Sequence, residues 1–268
     1  DLSQNKVLRE VDQDLLSNKR MFRIIQGDVG SGKTIVSLLS IYNVTQSGYQ
    51  TALMSPTEIL AKQHFDLTKK VFKDENLEID FLTGKTEFKK KKDILKNLEN
   101  GKIKLIIGTH ALFQKKIEFR KLGLVIIDEQ HKFGVKQRSD LADKGGNDCD
   151  VLVMSATPIP RTMMMSIYGD MDVSKITEKP EKRKKILTLS KPEKKINEIW
   201  PFIRKQIDDD NQIFWVCPLI EKSSFLDYSS AKKKFELINK KFPGKVGLIH
   251  GSMEKNEKET ILKKFLNK

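Results

Sequence analysis

Short apolar runs punctuate the first part of the chain: Phe22–Gln26, Thr51–Ser55, Leu77–Leu82, Lys104–Thr109, Leu122–Asp128 and Val151–Ser155. They are rich in Ile, Val and Leu and are bounded by polar residues or Gly, as strands buried on both faces are. Between them the period changes. Ile35–Tyr42 follows a Gly-rich loop. Glu58–Phe72 sets Leu60, His64, Leu67 and Val71 on one helical face, and Thr86–Leu98 groups Phe88, Leu95 and Leu98. Strand and helix in alternation predict an α/β fold, a parallel sheet with helices on both faces.

The pattern breaks at "EKPEKRKK", residues 178–185, which is charged, holds a Pro and carries no apolar side chain. It reads as a linker. The alternation then resumes, with strands expected at Ile186–Leu189, Gln212–Cys217 and Val246–His250 and helices at Lys194–Ile207, Ser230–Phe242 and Glu254–Leu266. The expected organisation is one α/β domain over 1–178, a linker over 179–185 and the start of a second α/β domain over 186–268. The chain opens at Asp1 rather than Met and stops at Lys268 inside a helical pattern, so it reads as a piece of a longer protein.

With 38% hydrophobic and 32% charged residues among 268, the chain has material for a real core. Its net charge of +14 suits a polyanionic partner, either nucleic acid or an acidic membrane surface, and equally suits a solvated Lys-rich surface. Cys149 and Cys217 are the only cysteines and stand far apart, which excludes a disulfide scaffold or a zinc module and fits a reducing cytoplasm. No apolar run approaches the length of a membrane span, and no signal peptide opens the chain.

The string "GDVGSGKT", Gly27, Asp28, Val29, Gly30, Ser31, Gly32, Lys33 and Thr34, fits the P-loop GxxxxGK[ST]. It follows an expected strand and opens an expected helix. Gly30 and Gly32 let the backbone curl so that successive N–H groups face phosphate oxygens, and the helix start adds its positive dipole end. Lys33 reaches the β and γ phosphates, and the Thr34 hydroxyl joins the Mg²⁺ shell. Asp128 emerges from the C-terminal end of a buried strand, where ligands of parallel sheets bind, and is placed to hold Mg²⁺. The adjacent Glu129 is placed to orient or deprotonate the attacking water. No NKxD string follows, which argues for adenine over guanine and makes ATP·Mg²⁺ the expected ligand.

Further strings stand at strand ends on the same edge: "SPTE" (55–58), "LTG" (82–84), "GTHALF" (108–113) and "SATPIPRT" (155–162). Small hydroxyl and Gly residues of this kind grip phosphates without reading bases. In this order, P-loop, "PTE", "GTH", "DEQH" and "SAT" resemble the motor motifs of superfamily 2 helicases. The longer strings "QGDVGSGKT", "PTEILAKQH", "GTHALFQ", "VIIDEQHKFGVKQR", "SATPIPRT", "YGDMDVS", "WVCPLIE" and "GLIHGSM" resemble the RecG family, ATP-dependent DNA helicases that remodel stalled replication forks. The resemblance runs from about Gln4 to the end.

The resemblance implies a RecA-like P-loop lobe followed by a truncated second RecA-like lobe. It implies that Lys33, Asp128 and Glu129 act on ATP, and that Gln130 and His131 contact Ser155, Ala156 and Thr157 to link hydrolysis to movement. It places Pro56, Thr57, Thr83, Thr109, His110, Arg138 and Arg161 toward the DNA backbone, and Gln4 where a Gln upstream of the motor reads adenine. The implied partner is branched or duplex DNA, without sequence preference, for a monomer of the bacterial cytoplasm engaged in recombination and repair. Two alternatives stay open. One is a translocase like the transcription-repair coupling factor, which typically has DEEH and "PTTLLA" where this chain has DEQH and "PTEILA". The other is a non-catalytic nucleotide-binding module. The resemblance also implies a wedge domain before this piece and an arginine finger after it, a device worth about 10³–10⁵ in rate, so the piece is expected to hydrolyse ATP poorly.

Other residues read as structural: His64 as a satisfied core or edge histidine, Trp200 and Trp215 as core, Met163–Met165 as adaptable packing, and the Lys89–Lys92 and Lys232–Lys234 runs as solvated helix faces. The charge carries a measurable expectation. DNA binding should be independent of sequence and fall steeply with salt, and a fluorescence-anisotropy titration from low to moderate salt checks it; unchanged affinity would contradict the basic-surface reading.

Overall fold

A computed structural model describes residues 2–114, 116–128, 149–157, 171–178, 186–217 and 224–267. It divides into two compact units, Asp1–Lys184 and Lys185–Lys268. In the first, the apolar runs become β1 (Phe22–Gly27), β2 (Gln50–Met54), β3 (Ile79–Leu82), β4 (Leu105–Gly108), β5 (Leu122–Asp128) and β6 (Asp150–Ser155). A further strand, β7, spans Asp172–Ile176. Among the described residues these form one seven-stranded sheet in the order β3-β4-β2-β5-β6-β1-β7, and every pairing is parallel.

The helices are α1 (Leu2–Leu15), α2 (Lys33–Gln46), α3 (Glu58–Val71) and α4 (Phe88–Glu99). Strand residues alternate between two buried cores, as the two-residue period of a strand requires. Ile24 and Met54 pack on one side with Ile94 and Leu98 of α4. Ile25 and Leu53 pack on the other with Val7 and Val11 of α1 and Val36 and Ile41 of α2. The sheet is therefore covered on both faces.

Two expected helix faces are met only in part: Leu98 of α4 is buried and Leu95 packs beside it, as expected, and other positions differ. On α3 the buried residues are Ala61 and Thr68, while Leu67 and Val71 are exposed. On α4 the buried residues are Ile94 and Leu98, and Phe88 is 86% exposed. α3 carries apolar residues around much of its circumference, and only the sheet decides which ones meet it; on α4 the exposed Phe88 is the first helical residue, at the edge of the apolar face. The sequence pattern also passed over α1 and β7. α1 is mostly polar, and its signal is the spacing of Val7, Val11 and Leu15 along one face. β7 is an edge strand with one polar face, and only Ser174 and Ile176 are buried.

A single side chain on β1 contacts both of these overlooked elements. Arg23 on β1 donates from Nε to Asp14 Oδ2 of α1 at 2.6 Å and from Nη1 to Ser174 Oγ of β7 at 2.8 Å. Glu10 of α1 lies 3.7 Å from the same guanidinium and accepts from the Ser174 hydroxyl. The Arg23 side chain is 11% exposed, so this network is screened less than a surface pair.

In the second unit the described helices are α5 (Ile199–Asp208), α6 (Ser224–Lys241) and α7 (Lys255–Leu266), with a 3₁₀ segment at Glu193–Glu198. The strands expected at 186–189, 212–217 and 246–250 are not formed. A run of Ile, Phe and Val becomes a strand only when a neighbour completes its backbone hydrogen bonds. Here Leu187, Phe214 and Val216 are 80%, 76% and 81% exposed. Trp200 and Trp215, expected as core, are half-buried and stack on each other at 5.5 Å. Lys241 and Lys234 lie over their rings. The linker 179–185 and Met163–Met165 lie outside the described residues.

The tightest packing in the sheet predicts its most sensitive position. A Cβ on Gly108 would sit 2.1 Å from the Leu82 carbonyl oxygen of β3. Gly108→Ala should lower the stability of the first unit by about 2–3 kcal/mol, the upper range for overpacking, as read by urea unfolding followed by circular dichroism.

Candidate functional site

Because all strands run the same way, their C-terminal ends form one rim. The strand registers align Leu82, Gly108, Met54 and Ile127 across β3, β4, β2 and β5, so the next residues, Thr83, Thr109, Ser55 and Asp128, form one row. Asp128 aligns with Met154 on β6, and Ser155 aligns with Gln26 on β1. Three of the hydroxyl-rich strings thus follow β3, β4 and β2, while the P-loop, the acid and the "SAT" turn follow β1, β5 and β6. The two halves meet where β2 pairs with β5.

The P-loop connects β1 to α2. Gly30 and Gly32 hold φ of 80° and 92°, where an L side chain is strained. A Cβ on Gly32 would also fall 1.9 Å from Gln4 Nε2 of α1. Gln4 donates to the Ser31 carbonyl at 2.8 Å, so α1 clasps the loop backbone from outside. Lys33 is 9% exposed and donates to the carbonyls of Gly27 at 2.7 Å and Asp28 at 3.0 Å. The α2 N-terminus carries no side-chain cap and no acid in its first turn, so its dipole end is open to an anion. Ser31 Oγ is buried with no hydrogen-bond partner. A curled loop, an open helix end, a Lys held on its own loop carbonyls and an orphaned hydroxyl fit a phosphate chain.

Asp128 closes β5 with its side chain 13% exposed, and Oδ2 lies 2.8 Å from His64 Nε2 of α3. An ionised carboxylate only accepts, so Nε2 carries the proton. His64, read from sequence as a satisfied core or edge histidine, is satisfied by Asp128. Nothing in the chain's linear pattern showed this, because the contact exists only once β2 and β5 are neighbours. Ser155 closes the "SAT" turn on itself: its Oγ accepts from the Thr157 N–H at 3.2 Å and donates to the Thr157 carbonyl at 3.0 Å, with Ala156 between. Glu129, Gln130, His131, Arg138 and Arg161 lie outside the described residues.

Among the described residues no group of three or more His, Cys, Asp or Glu could hold a metal. Thr34, beside Lys33 at the α2 start, and Asp128 make a sparse donor set. That is what Mg²⁺ uses when nucleotide phosphates and water supply the remaining oxygens. The residues therefore fit a cation that arrives with a nucleotide.

On the other half of the rim, Thr57 is exposed and caps α3 by accepting from the Leu60 N–H at 3.3 Å, and Pro56 before it is half-buried. His110 is exposed at the start of the 3₁₀ turn His110–Phe113. Thr83 and Thr109 are only 6% and 2% exposed, so they offer far less surface than Thr57 or His110. Thr109 Oγ1 and the adjacent Ser55 Oγ are buried without hydrogen-bond partners.

Residues 4–166 match the family model for the DEAD/DEAH box helicase. The chain is 44% identical over 265 residues to the ATP-dependent DNA helicase RecG of Bacillus subtilis (strain 168), covering 98% of this chain. It spans 39% of that relative's length. A structure of RecG bound to a three-way DNA junction superposes with a TM-score of 0.78 at 41% identity, covering all of this chain (100%) and 35% of that one. The DEAD-box helicase Mss116, bound to ssRNA and UDP-BeF, shares the fold, with a TM-score of 0.65 at 16% identity over 98% of this chain and 58% of that one.

The self-closed "SAT" turn can be checked directly. Ser155→Ala removes the acceptor for the Thr157 amide, a bond worth about 1 kcal/mol, so that amide should exchange about fivefold faster in a hydrogen-exchange measurement. Exchange at the wild-type rate would contradict the turn as described.

Proposed function

We propose that this chain, which belongs to the DEAD/DEAH box helicase family, is the ATP-binding lobe and the start of the second lobe of a motor that remodels branched DNA, as at stalled forks and Holliday junctions. The single row of strand ends carries the reading. It puts a phosphate-binding loop, an acid and hydroxyl-rich strings on one rim, and the resemblance to RecG over nearly the whole chain supports DNA as the polyanion.

Each residue then takes a role. The amides of Gly30 to Thr34 and the α2 dipole end receive the phosphates of ATP. Lys33 leaves the carbonyls of Gly27 and Asp28 for phosphate oxygens, a short move for a flexible side chain already buried at the site. Thr34 and Asp128 would hold Mg²⁺, which when bound neutralises charge developing on the β and γ phosphates. Glu129 orients the attacking water and accepts its proton. Ser155, Ala156 and Thr157 form the turn through which Gln130 and His131 sense the change.

Thr57 and His110 offer exposed polar groups to the DNA backbone, and Pro56, Thr83 and Thr109 shape the loops that present them. Arg138 and Arg161 add phosphate contacts. Such contacts hold the backbone without reading bases, so binding is independent of sequence. The motor acts as a monomer in the cytoplasm. Among the described residues no helix is long and apolar enough to cross a membrane.

The test uses the full-length protein that contains this chain. Lys33→Ala should weaken binding of a fluorescent ATP analogue at least about tenfold. Glu129→Gln should leave that binding intact while lowering junction-stimulated ATP hydrolysis by about 10²-fold or more, the usual contribution of a general base. Junction remodelling at the wild-type rate by the Glu129→Gln protein would overturn the motor reading.

A further inference from the structure

We infer that His64 is a positioning residue for Asp128, reaching from the hydroxyl-rich half of the rim to fix the carboxylate of the nucleotide half. The inference rests on the proposed role of Asp128 as the acid that holds Mg²⁺.

The sheet order makes the contact meaningful. α3 follows β2, the last strand of the half that carries the strings at 55–58, 82–84 and 108–113. Asp128 ends β5, the first strand of the other half. Within the described part of the row, the His64–Asp128 bond is the side-chain link from α3 across that boundary, at 2.8 Å.

His64 is built to stay in place. Its carbonyl accepts from the Thr68 hydroxyl one turn on, at 2.6 Å. Ala61 and Thr68, which flank it on the same face, are fully buried. Thr57 caps the helix start. The imidazole and the carboxylate are 11% and 13% exposed, so little water competes for their bond. A carboxylate on two rotatable bonds would otherwise sample several orientations. The N–H from His64 takes Oδ2 and so limits those orientations. Hydrogen-bonding partners of a ligating carboxylate orient it in this way, and their loss typically weakens metal affinity by about 10–100-fold.

Only the Nε2 proton is required. Gln at this position can present an amide N–H close to where Nε2 stands, whereas Asn is one bond too short.

The experiment follows binding of a fluorescent ADP analogue to the full-length protein while Mg²⁺ is titrated, and repeats the binding in EDTA. His64→Ala and His64→Asn should raise the Mg²⁺ midpoint by about tenfold. They should leave affinity in EDTA at the wild-type value, and His64→Gln should restore the midpoint. Asp128→Asn is the reference. If it leaves the midpoint unmoved, the assignment of Asp128 to the metal fails, and the inference about His64 falls with it. If Asp128→Asn moves the midpoint and His64→Ala does not, the positioning role alone is overturned. A His64→Gln midpoint matching that of His64→Asn would likewise overturn it. Should His64→Ala unfold, as its melting temperature would reveal, the Gln and Asn pair decides.

Discussion

Parallel strand pairing is the constraint on which the rest depends. A parallel sheet sends every strand's C-terminal end to the same edge, and each crossover must return over a face. Strings more than a hundred residues apart, such as "GDVGSGKT" and "SATPIPRT", therefore become neighbours without any contact being selected for that purpose. The same pairing demands burial on both faces, and this is why β5 is apolar up to Ile127 and turns acidic only at Asp128. The chemistry starts where the ladder stops.

Polar groups left over at that rim show what the fold tolerates. Ser31, Ser55 and Thr109 keep buried hydroxyls without partners, and each such group costs about 1–3 kcal/mol. They sit in the P-loop and on the two neighbouring strand ends of the other half, not in the cores. Lys33 is handled differently, because loop carbonyls accept from its ammonium. The unpartnered hydroxyls thus gather at the rim, on a sheet whose cores are closed.

The second unit shows the opposite balance. Its helices form from local pattern, and Trp200, Trp215 and Phe242 gather with Lys234, Lys241 and Arg204 around them. Its apolar segments at 186–189 and 212–217 stay largely exposed, because a strand needs a partner that a helix does not. A helix closes its backbone hydrogen bonds within its own segment, whereas a strand leaves them open until a neighbour pairs with it.

Much of the first unit was legible in the chain itself. Six strands of the sheet follow from their apolar runs, the bend between β1 and α2 follows from its glycines, and Asp128 stands at the strand end where the apolar run stops. The sequence by itself determined those elements, because they are local. Tertiary structure alone decided which face of α3 and α4 turned inward, the pairing of β7 with β1, the clasp of Gln4 on the P-loop and the meeting of His64 with Asp128. Each of these joins segments whose proximity depends on strand order, and strand order is a property of the whole sheet that no single stretch of residues encodes.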